Sequence, residues 1–509
     1  MTIETKTNED TLTKESKQFG DPVVIVGGGP AGLATALMLA KRGWTNITVF
    51  EKRPSADYYE PDKSFNYLID GRGQKMTDLL GLTEELSKIS VPNTEFYLTR
   101  IESDGSKKTS KLPIIDSNRK PSYWLPRKAF LQLLYEEIER NWLDRITVLF
   151  KTRCVEIQKT RRYADPEGIV NDTEGEKIQI VASQENGSVM KFEPTFLVGC
   201  DGINSIVRQT LKKWDKSASD RFEMKYHPSP SSGLKYKVLT LPPNFPIDRS
   251  GKENSVCDRA YKINGAFRDK RSVSLGILPI KNPDEPRGAN IIRYPDHEVW
   301  ELTNGEQVWD FLEKAFPQLP IRQIVSPEEA ERFAASEGGC FPPPQYCSGS
   351  QFILGGDRSF TAGVLLIGDA IHSFPPDIGQ GVNSALEDVY VFNEALSQSN
   401  DDLSSALPLY ESGRTSDIKA LIRLVQTTYP WQYNQDPLRN QLWRIKFLVW
   451  LIFSRFLPFL FSPPTFFLIQ DSQLSYSEIL QKVRRTTQNF YLFGVAISLA
   501  VLALVLKTP

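Results

Sequence analysis

A short apolar run followed by three spaced glycines near the start of the chain restricts its fold more than any other feature. Residues Val23–Val26 are all β-branched, as expected of a central strand in a parallel sheet. Gly27, Gly29 and Gly32 follow the G-x-G-x-x-G pattern, and Pro30 stands where the first turn of a helix tolerates proline. The sequence therefore predicts a strand, a tight loop and a helix whose N-terminus binds phosphate.

The residues that follow extend this unit to a dinucleotide-binding motif. A second strand is predicted at Ile47–Phe50, and Glu51 stands at its end, about twenty residues after the third glycine. In such motifs the three glycines allow the turn, the approach of a pyrophosphate and close helix packing, and the acid binds the ribose hydroxyls. The motif alone leaves NAD and FAD as alternatives.

Two glycine–aspartate motifs occur later, each after an apolar run that predicts a strand. GCDGINSIVR at 199–208 contains Asp201 and Gly202, and GDAIHSFPPDIGQGVNSALED at 368–388 contains Asp369. The second motif opens a predicted helix, whose N–H groups and positive dipole end suit the anionic edge of a reduced flavin. Because no second complete fingerprint follows, enzymes with two separate dinucleotide domains are disfavoured.

The motifs together resemble those of the single-component flavin-dependent aromatic hydroxylases, and more narrowly those of the kynurenine 3-monooxygenase family. Lys63-Ser64-Phe65-Asn66, Arg72-Gly73 and both glycine–aspartate runs carry the resemblance, which continues into the C-terminal tail. It implies an α/β (α+β) fold with a Rossmann-like FAD-binding domain and an inserted β-rich substrate domain. It also implies FAD, NADPH or NADH, and O₂, with an aromatic or hydrophobic ring hydroxylated through a flavin C4a-hydroperoxide.

The resemblance assigns roles to individual residues. Glu51 is expected at the adenosine ribose, Arg127 at the FAD and Asp369 at the ribityl chain. The full set of expected cofactor-binding residues is Gly27, Gly29, Gly32, Glu51, Arg127, Asp201, Gly202, Asp369, Gly379, Gly381, Val382 and Asn383. Pro376 and His372 are candidates beside the flavin, with a structural role favoured for His372. No catalytic acid or base is assigned, because the cofactor carries the chemistry.

Several positions depart from the family where its substrate binds. The family's substrate-binding asparagine and tyrosine fall on Thr428 and Thr465, and its carboxylate-binding arginine has no counterpart in 91–100. Asp377 and Ile378 replace two phenylalanines. These departures predict weak or no turnover of L-kynurenine. One alternative is a membrane-associated flavin epoxidase, hydroxylase or reductase acting on an isoprenoid or quinone-like lipid, and another is a non-catalytic FAD-binding membrane protein.

The C-terminal tail predicts attachment to a membrane. Residues 490–506 carry no charge and approach the length of a membrane-spanning helix, with a buried core helix as the alternative. Residues 447–469 are also apolar but contain three prolines, which predicts an interfacial or core-packed hairpin. Basic residues precede the anchor, and only Lys507 follows it, so the catalytic body is expected to face the cytoplasm, the mitochondrial outer membrane being one candidate location.

Composition excludes several other classes of protein. The 61 basic and 62 acidic side chains nearly cancel, so nucleic acid is not an expected partner. Five scattered cysteines and three histidines argue against a disulfide framework and a metal site. The predicted organisation is a disordered segment at 1–20, an FAD domain at about 21–61, 126–219 and 346–415, a substrate domain at about 62–125 and 220–345, a helical region at 416–489 and an anchor at 490–506.

Overall fold

The computed structural model describes residues 19–63, 66–111, 119–160, 176–355, 360–427 and 436–505. The predicted disordered segment lies outside these residues except for Phe19 and Gly20. The helices are α1 Pro30–Lys41, α2 Gly71–Leu80, α3 Thr83–Lys88, α4 Arg127–Asn141, α5 Ile206–Trp214, α6 Gly305–Ala315, α7 Ile321–Ile324, α8 Pro327–Ala335, α9 Gly381–Gln398, α10 Leu403–Thr427, α11 Pro437–Phe456, α12 Thr465–Leu468 and α13 Tyr476–Val505.

The strands range from two to nine residues in length. They are β1 Val23–Val26, β2 Ile47–Phe50, β3 Asn66–Ile69, β4 Val91–Pro92, β5 Tyr97–Ile101, β6 Lys107–Lys111, β7 Tyr123–Pro126, β8 Ile146–Leu149, β9 Thr152–Thr160, β10 Lys177–Gln184, β11 Val189–Phe192, β12 Phe196–Gly199, β13 Lys225–Tyr226, β14 Lys235–Leu241, β15 Ala260–Asn264, β16 Ser274–Ile277, β17 Arg287–Arg293, β18 Gly339–Cys340, β19 Gln345–Tyr346, β20 Gln351–Leu354, β21 Ala362–Leu366 and β22 His372–Ser373.

A six-stranded sheet forms the centre of the first half of the fold. Its order is β20-β21-β12-β1-β2-β8, and all neighbouring pairs are parallel except β20 with β21. Every residue of β1, β12 and β21 is buried, as the continuous apolar runs predict for strands covered on both faces. Because parallel strands share one direction, the three glycine motifs that follow β1, β12 and β21 leave the same edge of the sheet.

A seven-stranded sheet forms the second layer, in the order β18-β14-β17-β16-β15-β5-β6. Its inward residues, among them Ile263, Leu275 and Ile291, form one apolar cluster with residues such as Phe311 of α6 and Phe333 of α8. The sheet collects residues from 97–111 and from 235–340, the two stretches expected in the substrate domain.

The stretch between residues 66 and 92 differs from the expected substrate domain. β3 and β4 pair with β7 in a separate three-stranded sheet, and α2 packs against α9 beside the six-stranded sheet. The buried face of α2 includes Arg72, Met76 and Leu80. This stretch was expected in the substrate domain because of its position in the chain. The buried side chains of α2 instead pack it against α9.

The C-terminal helices form a third unit that is only partly covered. α10 packs on α9 and α13, and α11 and α13 meet at Trp450, which donates a hydrogen bond to the carbonyl oxygen of Ser462 at 2.7 Å. The chain reverses between α11 and α12, which brings the rings of Phe447 and Phe467 to a centroid distance of 5.8 Å. Trp450 and Ile469 are buried, while Phe456 and Phe459 are exposed.

The predicted transmembrane helix is not confirmed. Across the described part of the chain, no helix is both long enough and apolar enough to cross a membrane. Residues 490–505 are the second half of α13, which begins at Tyr476 and carries charged residues in its first half, and residue 506 lies outside the described residues. The apolar run therefore continues a helix whose charged first half packs against the body of the protein, while residues of the run such as Tyr491 and Leu492 are exposed.

Candidate functional site

The glycine loop after β1 has one face packed and one face open. A Cβ on Gly27, whose φ is +108°, would lie 2.3 Å from the carbonyl oxygen of Cys200. A Cβ on Gly32 would lie 1.9 Å from the carbonyl oxygen of Gly27, whereas a Cβ on Gly29 would have no atom within 4 Å. No side chain caps the N-terminus of α1. The loop thus offers unpaired N–H groups and an open backbone surface to a phosphate.

Glu51 is held in position before any ribose is bound. Its carboxylate accepts hydrogen bonds from the backbone N–H of Gly28 at 2.9 Å and from the guanidinium of Arg53 at 3.0 Å. Burial acts to raise the pKa of Glu51, but the hydrogen bonds and charge of Arg53 outweigh it and lower that pKa. Glu51 is therefore ionised and oriented at the end of β2.

Arg53 is a site residue that the sequence reasoning missed. It is buried, and together with Arg127 it lines a cavity of about 140 Å³ between the end of β2 and the segment that precedes β17. Arg127 begins α4, pairs with Glu60 at 3.4 Å and interacts with the buried hydroxyl of Tyr67. The sequence could have indicated Arg53, because it stands two residues after the ribose-binding Glu51 and residues at that spacing lie on the same side of the end of a strand.

The second motif contains a buried carboxylate oxygen without a partner. Asp201 Oδ2 accepts hydrogen bonds from the backbone N–H of Ile206 at 2.7 Å and of Val207 at 3.3 Å, so it caps α5. Its Oδ1 is buried and has no hydrogen-bond partner among the described residues, and burial raises the pKa of Asp201. Gly202, with φ of +81°, has open space where a Cβ would lie. Both observations suit contact with a bound polar group.

Arg208 joins the second and third motifs. It donates hydrogen bonds to the carbonyl oxygens of Ala370 and Ile203, both at 2.8 Å. Asp369 lies next to Ala370, and its side chain is in contact with solvent. The protein that surrounds it nevertheless reduces its hydration, which raises the pKa of Asp369, while the positive charges of His372 and Arg127 act to lower that pKa. The structure therefore brings Asp369 and Arg127 near one another at the same edge of the sheet.

His372 and Pro376 differ in their surroundings. The Nε2 of His372 lies 2.8 Å from Asp388 Oδ2, which also accepts a hydrogen bond from the backbone N–H of Gly368 at 2.8 Å. His372 is fully buried, and this hydrogen bond places it beside the turn after β21; the structural role favoured for it stays a prediction. Pro376 is exposed and remains the candidate for a flavin contact.

The glycine loop before α9 also presents an open face. Gly379 has φ of +64°, and a Cβ on Gly379 or Gly381 would meet no atom within 4 Å. No side chain caps α9. The buried side chain of Asn383 donates hydrogen bonds to the carbonyl oxygens of Leu68 at 2.8 Å and Gly379 at 3.1 Å. The side chain thus points away from the open face of the loop, and the backbone of Asn383, like that of the half-buried Val382, is available to a ligand.

Asp377, between these features, is buried beside the second layer of the fold. It bonds to the hydroxyl of Ser231, and its Oδ1 has no partner among the described residues. Burial raises the pKa of Asp377 to about 6, although the hydrogen bond from Ser231 acts to lower it. Of the expected substrate positions, Thr428 lies outside the described residues and Thr465 is buried at the start of α12.

The residues present fit FAD. A nucleotide binds in sheets of this kind at the ends of strands such as β1, β2, β12 and β21. Three features suited to FAD lie there: two uncapped helix N-termini, four glycines with open faces and a buried acid for the ribose. In the described part of the chain no group of side chains is suited to hold a metal ion.

Comparisons with known proteins agree with this geometry. A family model described as "FAD binding domain" matches residues 21–225 and 357–424, more than half of the 509 residues. Kynurenine 3-monooxygenase of Caenorhabditis briggsae is 22% identical over 94% of this chain and 97% of its own length. The enzyme of the same name from Dictyostelium discoideum is 25% identical over 72% of this chain and 68% of its own. An FAD-dependent monooxygenase, andE, of Emericella variicolor is 25% identical over 74% and 70%.

Two solved structures share the fold. Aklavinone-11 hydroxylase, solved with FAD and aklavinone, aligns with a TM-score of 0.55 and 17% identity over 81% of this chain and 69% of that one. Tetracycline destructase Tet(55) aligns with a TM-score of 0.54 and 13% identity over 86% and 96%. The expected mixed α/β fold is thereby confirmed.

Proposed function

This chain belongs to the FAD binding domain family and is an FAD-dependent monooxygenase, and on that premise we propose that it uses NADPH or NADH and O₂ to hydroxylate an aromatic or other hydrophobic ring, as kynurenine 3-monooxygenases do. Two observations carry the proposal. The motifs after β1, β2, β12 and β21 all open at one edge of the six-stranded sheet, and the likeness to kynurenine 3-monooxygenase extends over 94% of the chain.

FAD supplies the redox chemistry when it is bound, and the residues of the chain hold and orient it. The N-terminus of α1 and the open face of Gly29 would hold the pyrophosphate, and Glu51 would accept hydrogen bonds from the ribose. The uncapped N-terminus of α9 would offer its N–H groups to the electron-rich edge of a bound flavin and so stabilise negative charge there. The seven-stranded sheet would provide a wall that excludes water from the reacting ring.

We propose that the substrate is less charged than L-kynurenine. An α-carboxylate and an α-ammonium are costly to desolvate without charged partners. Within 91–100 the basic residue is Arg100, on β5, and Thr465 is a short hydroxyl that is already buried. A second candidate function, oxidation of an isoprenoid or quinone-like lipid, is favoured by the apolar surface of the C-terminal helices.

We further propose that this apolar surface associates with a membrane, with residues 490–506 as the anchor and the catalytic body on the cytoplasmic side. Exposed residues recur at helical spacing along one face of α11, namely Leu438, Leu442, Ile445, Leu448, Ile452 and Phe456. Leu442 is 58% exposed and Phe456 is 73% exposed. A row of this kind is typical of helices that lie in a membrane interface.

A screen of substrates for faster flavin reduction tests the proposed function. The purified protein, loaded with FAD, is mixed with NADPH or NADH without O₂, and loss of the absorbance of oxidised flavin is followed. A hydrophobic aromatic compound is expected to accelerate reduction more than L-kynurenine does, and its hydroxylated product is then sought with O₂ present. Acceleration by L-kynurenine with tightly coupled product formation would overturn the proposed substrate class, and acceleration by a quinone would favour the second candidate.

A further inference from the structure

A hydrogen bond joins the C-terminal helix to the glycine loop before α9. Tyr476 is the first residue of α13, and its side chain is 0% exposed. Its hydroxyl donates a hydrogen bond to Gln380 Oε1 at 2.8 Å. Gln380 stands between Gly379 and Gly381, the two glycines with open space where a Cβ would lie. Tyr476 therefore holds the buried side of a loop whose other side is open.

The orientation of Gln380 is fixed by a second contact. Its Nε2 donates a hydrogen bond to Asp70 Oδ2 at 2.7 Å. Asp70 Oδ1 in turn accepts hydrogen bonds from the backbone N–H groups of Arg72 at 2.9 Å and Gly73 at 3.3 Å, and so caps α2. Because both polar atoms of the Gln380 amide are used, a change at Tyr476 is transmitted to the loop and is not absorbed by rotation of the amide.

The ring of Tyr476 is held as firmly as its hydroxyl. The guanidinium of Arg72 lies over the ring, 4.1 Å from its centroid, and pairs with Glu387 of α9. Arg72 also donates hydrogen bonds to the carbonyl oxygens of Leu474 at 2.7 Å and Asp471 at 3.2 Å, just before α13 begins. The start of α13 is thus fastened to α2 and α9 through buried groups from each.

We propose that Tyr476 is a positioning residue for the cofactor. Through Gln380 it fixes the loop at residues 379–381, so that the open backbone at the start of α9 is ready for the flavin. The inference rests on the proposed function in one respect, that this loop contacts the flavin. It adds the C-terminal helix to the cofactor site, although α13 lies nearly a hundred residues beyond the loop in the chain.

The substitution Tyr476→Phe tests this proposal, because it keeps the ring beneath Arg72 and removes only the hydroxyl. We expect its dissociation constant for FAD to rise about 5- to 10-fold, as for loss of one buried hydrogen bond. We also expect the visible circular dichroism of the bound flavin to change, since that signal reports the surroundings of the ring. Both are measured on full-length protein by titrating the apoprotein with FAD.

Tyr261→Phe is the matched control. Tyr261 is 2% exposed, and its hydroxyl accepts a hydrogen bond from the backbone N–H of Val256 at 2.8 Å within the second layer. The control loses one buried hydrogen bond of similar kind, but its FAD affinity and flavin circular dichroism are expected to match those of the wild type. Gln380→Leu is the second variant, and combining it with Tyr476→Phe is expected to weaken FAD binding no further than Gln380→Leu alone.

Three results would overturn the proposal: unchanged FAD affinity and flavin spectrum in Tyr476→Phe, equal effects in Tyr261→Phe, or additive effects of Tyr476→Phe and Gln380→Leu. Failure of the proposed function is separate. A wild type that binds FAD but whose flavin reduction no substrate accelerates would count against hydroxylation, while the measurements on Tyr476 concern FAD binding alone.

Discussion

The six-stranded sheet buries its apolar residues completely, whereas α11 leaves a row of its apolar residues in contact with solvent. Val24 and Leu197 are 2% and 0% exposed, while Ile445 and Ile452 are each 53% exposed. Both regions contain large apolar side chains but differ in their coverage, because the sheet is enclosed by helices and one face of α11 is not. The difference indicates that the cofactor half is complete within the chain and that α11 has a surface suited to a partner outside it.

The largest expected loss of stability follows from breaking buried ion pairs in the FAD-binding half of the protein. Arg414 is 1% exposed and pairs with Asp388 at 2.6 Å and with Glu387 at 2.8 Å. Arg414→Met removes a buried cation from both carboxylates and, among the described side chains, leaves Glu387 only Arg72 and Asp388 only His372 as partners, which is expected to cost about 3–5 kcal/mol of the free energy of unfolding. Urea denaturation measures the loss. Arg439→Met, which removes an exposed pair with Asp436 on α11, is the control and is expected to have no measurable effect. Equal effects would contradict the difference between the two regions.

The next largest effect on stability is expected at Gly32, which is closely packed, and not at Gly29, which faces open space. In Gly32→Ala the new Cβ would lie 1.9 Å from the carbonyl oxygen of Gly27, so a loss of about 3 kcal/mol in the stability of the apoprotein is expected. In Gly29→Val the side chain projects into open space, so the apoprotein should keep its stability and lose FAD binding. Thermal unfolding and FAD titration measure the two. Full retention of FAD by Gly29→Val would refute the assigned pyrophosphate site.

Asp377 predicts a pH dependence of stability. The folded state keeps this proton up to a pKa of about 6, whereas an unfolded aspartate releases it near pH 4. The folded state therefore binds more protons between these values, and its stability falls as the pH rises from 4 to 6, by about 2–3 kcal/mol from this group. Asp377→Asn should flatten that fall in urea denaturation between pH 4 and pH 7.

Asp248→Asn gives the opposite sign and serves as the control. The hydroxyl of Ser250 lowers the pKa of Asp248 to about 2, with the backbone N–H groups of Lys252 and Glu253. Asp248 therefore contributes stability that is present above pH 4 and is lost as the pH falls toward 2. If both variants shifted the pH profile in the same direction, the assignment of a buried, proton-retaining Asp377 would be wrong.

The smallest effect on stability is expected for substitutions in the exposed apolar row of α11. These substitutions also test whether that row binds a membrane. Replacing Ile445, Ile452 and Phe456 by serine should leave the free energy of unfolding nearly unchanged, because exposed side chains contribute little to folding. Binding to anionic lipid vesicles, measured by co-sedimentation, should fall at least tenfold. A variant that still sediments with vesicles would show that α11 is not the attachment surface, and deletion of 490–509 would then identify the anchor.

Local patterns in the sequence determined the cofactor half of this protein. Continuous apolar runs are typical of buried parallel strands, and glycine spacing and the following acid act within some thirty residues, so β1, α1, β2 and Glu51 could be predicted from neighbours in the chain. The same reasoning placed β12 and β21 before their aspartates. Roles at the flavin followed from resemblance and stay predictions for Pro376, Val382 and Asn383.

Only the tertiary structure decided how distant segments support that site. Ser231 against Asp377 and Tyr476 against Gln380 are contacts between side chains whose meeting depends on where whole elements pack. The placement of α2 on α9 and the continuation of the apolar tail from a charged helix depend on it as well. Periodicity shows which face of an element is apolar, but not which element covers that face, because hydrophobic burial has no direction of its own.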